Sequence, residues 1–133
     1  MRKVGTATVT STGTHYLHHI HAGHFDLDTD EPKALGGQGQ GPAPFDYYLA
    51  SLAACTAITL RMYAERKGWN LGEFRAELAL SFDDDGKVHV HRTLHSDQPL
   101  GDGQWTRLLE IVANTPVTRA MREGAVITSE RGS

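Results

Sequence analysis

The chain has 133 residues, 39% of them hydrophobic and 22% charged, and a formal net charge of -3. These values fit a soluble globular protein of one domain, residues 1–133, with room for a single core. The 13 basic residues are scattered and form no stripe along a phosphate backbone, which argues against nucleic acid as a partner.

The first thirty residues favour strand. Residues 4–10 are rich in Thr and Val, Ser11-Thr12-Gly13 reads as a turn into residues 16–21, and Gly23 turns the chain into residues 25–28. The basic start has no apolar run behind it, so no signal peptide is expected. Residues 35–44 form a loop of glycines and glutamines closed by Pro42 and Pro44. It lacks the Lys-Ser/Thr of a nucleotide-binding loop, and its prolines remove backbone donors, so nucleotide is not expected there.

A long helix is predicted over 44–67. Arg66 and Lys67 complement its C-terminal dipole and Gly68 is placed for a left-handed cap. Asp46, Ser51, Thr56, Thr59 and Arg61 interrupt its apolar run, so it is not a membrane span. From Tyr47 to Leu60 only Ser and Thr separate the apolar residues and no charge occurs, so this helix needs cover on every side. One small sheet covers one side; the other needs a second helix or, as is expected here, a second copy of the chain, giving a homodimer.

A hairpin follows. Phe74, Ala76, Leu78, Leu80 and Phe82 alternate with polar or small residues, Asp83-Asp84-Asp85-Gly86 is turn chemistry, and Val88, Val90 and Leu94 supply the inner face of the returning strand. The triple aspartate lacks the spacing of a calcium loop. A second helix is predicted over 102–114. A third starts with Thr115 as N-cap and Pro116 at the first helical position, and ends at Gly124. Residues 125–128 are expected to be a last strand. Strands segregated from helices indicate an α+β fold with antiparallel sheet.

The lone cysteine, Cys55, lies inside the long helix. No internal disulfide is possible, and a reducing, cytoplasmic location is expected. Cys55 reads either as a small buried hydrophobe or as a sheltered nucleophile. For the second reading its thiolate needs a cation or hydrogen-bond donor from elsewhere in the fold or from the partner chain, because a mid-helix sulfur gains nothing from its own helix dipole. Ser51 and Leu52 one turn before it, and Ile58 and Thr59 one turn after, are expected to line a mostly apolar substrate site. Asp46 sits about half a turn off the Cys55 face, where it would stabilise the first helical turn or orient a cation. His19 and His21 share one strand face, as do His89, His91 and His95. Two His-x-His pairs on neighbouring strands could hold a metal. With Val88, Val90 and Leu94 opposite the later histidines, the solvent-facing reading is preferred and neither metal nor cofactor is expected.

Three segments carry a family likeness. Leu35-Gly36-Gly37, Gly41-Pro42-Ala43-Pro44-Phe45-Asp46 and the run from Ala53 to Ala64 around Cys55 resemble the central signature of the OsmC/Ohr family, the osmotically inducible and organic hydroperoxide resistance group. Asp26-Leu27-Asp28, Glu31-Pro32 and Leu108-Leu109-Glu110-Ile111 extend the likeness. The resemblance implies an intertwined α+β homodimer with long central helices, and a thiol-dependent peroxidase acting on organic hydroperoxides. Cys55 would then be the peroxidatic residue, and Asp46 would stand near the family's glutamate at the start of the helix. The family's second cysteine, in a Cys-Pro-Val-His motif, is replaced by Thr115-Pro116-Val117-Thr118, and no N-terminal arginine matches the family's catalytic one. Arg2 lies too early, and the strands there carry His15, His18, His19 and His21. The resemblance therefore implies a one-cysteine cycle with an external thiol reductant, or a non-catalytic relative that binds a small apolar ligand at the dimer interface. A metal-dependent role for the histidines is the third alternative.

Overall fold

β-branched residues and a glycine turn build a small antiparallel sheet at the start of the chain. In the computed structural model, which describes residues 1–133, β1 (Ala7–Ser11), β2 (His18–Ala22) and β3 (Phe25–Thr29) pair in the order β1-β2-β3. Only Gly23 and His24 separate β2 from β3. Gly23 has φ +58°, the conformation a two-residue hairpin turn requires at its first position. The register sets Thr8 opposite His21 and His21 opposite Asp26, with Thr10, His19 and Asp28 aligned in the same way.

The glycine-rich loop is organised by a carboxylate. Asp30 is only 3% exposed, and it accepts hydrogen bonds from the backbone N–H of Glu31 at 2.8 Å, Gln40 at 3.1 Å and Gln38 at 3.2 Å. Burial pushes its pKa up, but those backbone donors and the charge of His15 outweigh it, and the carboxyl stays below its ordinary value. The N–H groups of Gln38 and Gln40 are thus turned inward onto this side chain. Gly37 is required for a different reason than φ. A Cβ there would lie 1.9 Å from the Glu31 carbonyl oxygen. A single 3-10 turn, Lys33–Leu35, precedes the loop and was not expected from the residues.

The helix α1 (Pro44–Lys67) has the bounds its residues indicate. Asp46 Oδ2 accepts the Ala43 N–H at 2.9 Å, closing its first turn. At the other end Trp69 N–H reaches Ala64 O at 2.9 Å and Gly68 N–H reaches Glu65 O at 3.2 Å, the paired bonds of a left-handed glycine cap. Its buried positions are Leu52, Thr56, Leu60 and Ala64, one stripe repeating every four residues. Ile58 and Met62 are 58% and 52% exposed, so a single chain covers one face of α1 only.

The chain divides into two compact units, Met1–Tyr48 and Leu49–Ser133. In the second, β4 (Phe74–Phe82) and β5 (Val88–Ser96) form a two-stranded antiparallel sheet, followed by α2 (Asp102–Val112) and α3 (Pro116–Glu123). Leu60, Ala64, Leu71, Leu108 and Val112 make its core, with Tyr63, Trp69, Phe74 and Leu94 packed against them. Asp83 folds the hairpin turn. Its Oδ1 accepts the N–H of Asp85 and of Lys87, each at 2.9 Å. This is a mixed α+β fold with antiparallel sheets. No helix is long and apolar enough to cross a membrane.

Two expectations need correction. Residues 125–128 form no strand; Val126 and Ile127 are 98% and 84% exposed. A β-branched run becomes a strand only by pairing, and neither sheet of this chain extends a ladder to it. The two His-x-His pairs also do not lie on neighbouring strands of one sheet, because β2 belongs to the first sheet and β5 to the second.

Candidate active site around Cys55

Cys55 lies on the half-buried flank of α1, beside the buried Leu52–Thr56–Leu60 stripe. Its Sγ is 3.9 Å from the Thr59 hydroxyl, one helical turn on. Two further donors come from the start of α3. Burial pushes the Cys55 thiol up, but hydrogen bonding from the Val117 N–H, from Thr115 and from Thr59, together with the positive charge of Arg92, brings it below the ordinary thiol value.

The source of the Val117 donor is a helix terminus. The first N–H groups of a helix have no partner inside it, and the dipole places partial positive charge there. Pro116 occupies the first helical position and has no N–H, so Val117 presents the first free donor of α3. Cys55 gains nothing from the middle of its own helix; it gains from the N-terminus of another. Thr115, only 2% exposed, caps that terminus. Its Oγ1 lies 2.7 Å from Thr118 Oγ1 and accepts the Thr118 N–H at 3.4 Å.

Arg92 supplies the charge. It sits on β5 opposite Leu78. Its Nη1 donates to Thr56 Oγ1 at 2.9 Å and to Thr118 Oγ1 at 3.1 Å, and its Nη2 donates to Val112 O at 2.8 Å. One guanidinium therefore links α1, the end of α2 and the first turn of α3. Burial lowers the Arg92 pKa and the Cys55 thiolate pulls it back up; a guanidinium stays protonated throughout.

A groove of about 620 Å³ opens next to this cluster. Thr59, Met62, Tyr63, Arg107, Ile111 and Thr115 are among its walls. Thr59 and Thr115 belong both to the groove and to the surroundings of the sulfur. Arg107 Nε donates to Tyr63 Oη at 3.0 Å and its Nη1 meets Glu110 Oε2 at 2.9 Å, which fixes one side of the groove.

The other residues expected at the site fall as follows. Leu52 is buried at 5% exposure and Ser51 is exposed, whereas the α1 wall of the groove consists of residues after Cys55. Asp46 belongs to the first unit and holds the Ala43 N–H. His89 and His91 are exposed, as the alternation of β5 requires, with His89 Nε2 2.8 Å from Asp83 Oδ2. No three His, Cys, Asp or Glu side chains converge as metal ligands.

Arg92 and the Val117 N–H were missed in the sequence. The signal for Arg92 was present: it lies on the same alternation as Val88, Val90 and Leu94, an inward position where a charge must have partners. Val117 carries no comparable signal, because a backbone donor becomes special only when its helix end meets something.

The matches to known proteins agree with this architecture. Residues 37–130 match the family described as OsmC-like protein. A Psychrobacter arcticus 273-4 protein, described as osmotic stress induced and of the detoxification response, is 22% identical, with 90% of each chain covered and a TM-score of 0.77. An OsmC-like protein of Mycoplasma pneumoniae is 20% identical, covering 92% of this chain and 89% of its own, with a TM-score of 0.73. An organic hydroperoxide resistance protein OsmC of Legionella pneumophila is 22% identical over 90% of each chain, with a TM-score of 0.65. At these identities the likeness is one of fold. No curated protein matches the chain. The chain belongs to the OsmC-like family.

Proposed function

We propose that this OsmC-like chain is a one-cysteine, thiol-dependent peroxidase that reduces organic hydroperoxides through Cys55. The observation that carries the reading is the set of donors and charge on one sulfur: the Val117 N–H, the Thr115 and Thr59 hydroxyls, and Arg92 together favour the thiolate. The thiolate attacks the terminal peroxide oxygen, the O–O bond breaks, and the alkoxide leaves as an alcohol after taking a proton. Cys55 becomes a sulfenic acid. An external thiol then forms a mixed disulfide with it, releasing water, and a second equivalent returns the cysteine and carries away the disulfide. Thr115 stands at the position of the family's second cysteine and cannot close an internal disulfide, which is why the reductant is placed outside the chain. In this reading Asp46 steadies the start of α1, and Ser51 and Leu52 flank the sulfur one turn before it while the substrate occupies the groove beyond.

The protein acts as a homodimer in this reading. Its support is the uncovered face of α1, where Ile58 and Met62 lie exposed on a helix with no charge between Tyr47 and Leu60.

The test is consumption of cumene hydroperoxide with dithiothreitol as reductant, comparing wild type with Cys55→Ser. A wild-type rate well above both the variant and the free thiol is expected. Equal rates overturn the peroxidase reading, and an apolar molecule co-purifying in the groove would then assign the protein to ligand binding.

A further inference from the structure

On the first sheet, two histidines two residues apart on β2 each engage an aspartate on β3. His19 Nδ1 hydrogen-bonds Asp28 Oδ1, and His21 Nδ1 hydrogen-bonds Asp26 Oδ1 at 2.9 Å. These partners are also directly opposed in the β2–β3 ladder, so the strand register itself holds them together. Residues two apart on a strand project from the same face, about 7 Å apart. All four side chains are solvent accessible, His19 at 64% and His21 at 54%. A groove of about 450 Å³ lies over them, bounded on the β1 side by Thr8 and Thr10.

Both histidines commit the same nitrogen. An Nδ1–H donated to a carboxylate leaves Nε2 with its lone pair free and aimed away from that carboxylate. The carboxylate also fixes the ring orientation and makes the free nitrogen a better donor, the outer-shell arrangement that metal-binding histidines use. The other His-x-His pair lacks it: His89 spends its Nε2 on Asp83.

We propose that His19 and His21 form a surface site for a borderline divalent transition metal ion such as Zn²⁺ or Ni²⁺, bound through their two Nε2 atoms. Asp28 and Asp26 orient the rings and water completes the coordination. Imidazole nitrogen selects such ions over Mg²⁺ and Ca²⁺. No third side chain converges on the pair, so the ion is exchangeable. The site does not depend on the reading of Cys55.

The experiment uses tag-free, metal-stripped protein carrying Cys55→Ser, so that the thiol cannot bind the ion, titrated calorimetrically with Zn²⁺ and separately with Mg²⁺. One equivalent of Zn²⁺ per chain is expected, with no Mg²⁺ binding. His19→Ala and His21→Ala each abolish the Zn²⁺ signal, the double change Asp26→Asn, Asp28→Asn weakens it about tenfold or more, and His89→Ala leaves it unchanged. Circular dichroism confirms that each variant is folded. Absence of saturable Zn²⁺ binding up to about 1 mM, or an affinity in His19→Ala and His21→Ala equal to that of their parent, overturns the proposal.

Discussion

The Thr56 hydroxyl, fully buried and next in sequence to Cys55, accepts Arg92 Nη1 at 2.9 Å. It also donates to Leu52 O at 2.7 Å, so its position is set by its own helix and the guanidinium is tethered beside the sulfur. A buried threonine in an otherwise apolar stripe is explained by this bond.

Replacing Arg92 with Met keeps the bulk and removes the charge. The Cys55 thiol is lowered in the folded protein, so its thiolate fraction, and with it the iodoacetamide alkylation rate, rises at a pH below the ordinary thiol midpoint of about 8.5. In Arg92→Met that midpoint moves up and the rate at pH 7 falls, while Arg92→Lys recovers part of it. Loss of the bonds to Thr56, Thr118 and Val112 O costs about 1–3 kcal/mol, read from urea unfolding. An unchanged alkylation midpoint in folded Arg92→Met would show that the charge has no influence on the sulfur.

Thr115→Cys places a second thiol where a hydroxyl now acts on Sγ. After one equivalent of cumene hydroperoxide the variant should lose two mass units through a disulfide between Cys55 and the introduced thiol, whereas wild type gains one oxygen. Persistence of the oxygen adduct in the variant would mean that the two side chains cannot reach bonding geometry.

Thr115→Val keeps the shape and removes the cap of α3. Loss of a threonine cap costs about 0.5–2 kcal/mol, and the Cys55 alkylation midpoint should rise with it because one donor to the sulfur is gone. A drop in stability with no movement of the midpoint would confine Thr115 to capping.

Leu60 is 0% exposed at the centre of the second unit's core. Leu60→Ala removes its contacts and leaves a cavity, at a cost of about 2–5 kcal/mol. Denaturant melts should show this as a lower midpoint at unchanged slope.

Gly37→Ala forces a Cβ into the Glu31 carbonyl. The loop must shift off Asp30, so the Gln38 and Gln40 amides, now bonded to that carboxylate, should exchange with deuterium faster. Unaltered protection at both amides would show that the loop absorbs a methyl group without releasing them.

Much of the fold was legible because its signals are local. Pro44 and Gly68 bound α1, Thr115 and Pro116 start α3, and the alternation from Phe74 to Phe82 marks β4, all within a few residues of the feature they define. Residues 125–128 show the limit of such signals: β propensity is present there, but a strand also needs a neighbour. The candidate nucleophile was legible too, since Cys55 is the one thiol in the chain.

Apart from Thr59, one turn on in the same helix, what surrounds that thiol was decided by tertiary structure. Arg92 comes from a strand and Val117 from a helix end, both distant from Cys55 along the chain. Periodicity tells which face of an element turns inward; it does not tell which two inward faces meet. The chain by itself determined its elements and its one thiol, because propensity, capping and residue chemistry act over a turn or two. The charge and donors that tune that atom came from packing, because electrostatic and hydrogen-bond effects depend on distances in space that sequence separation does not encode.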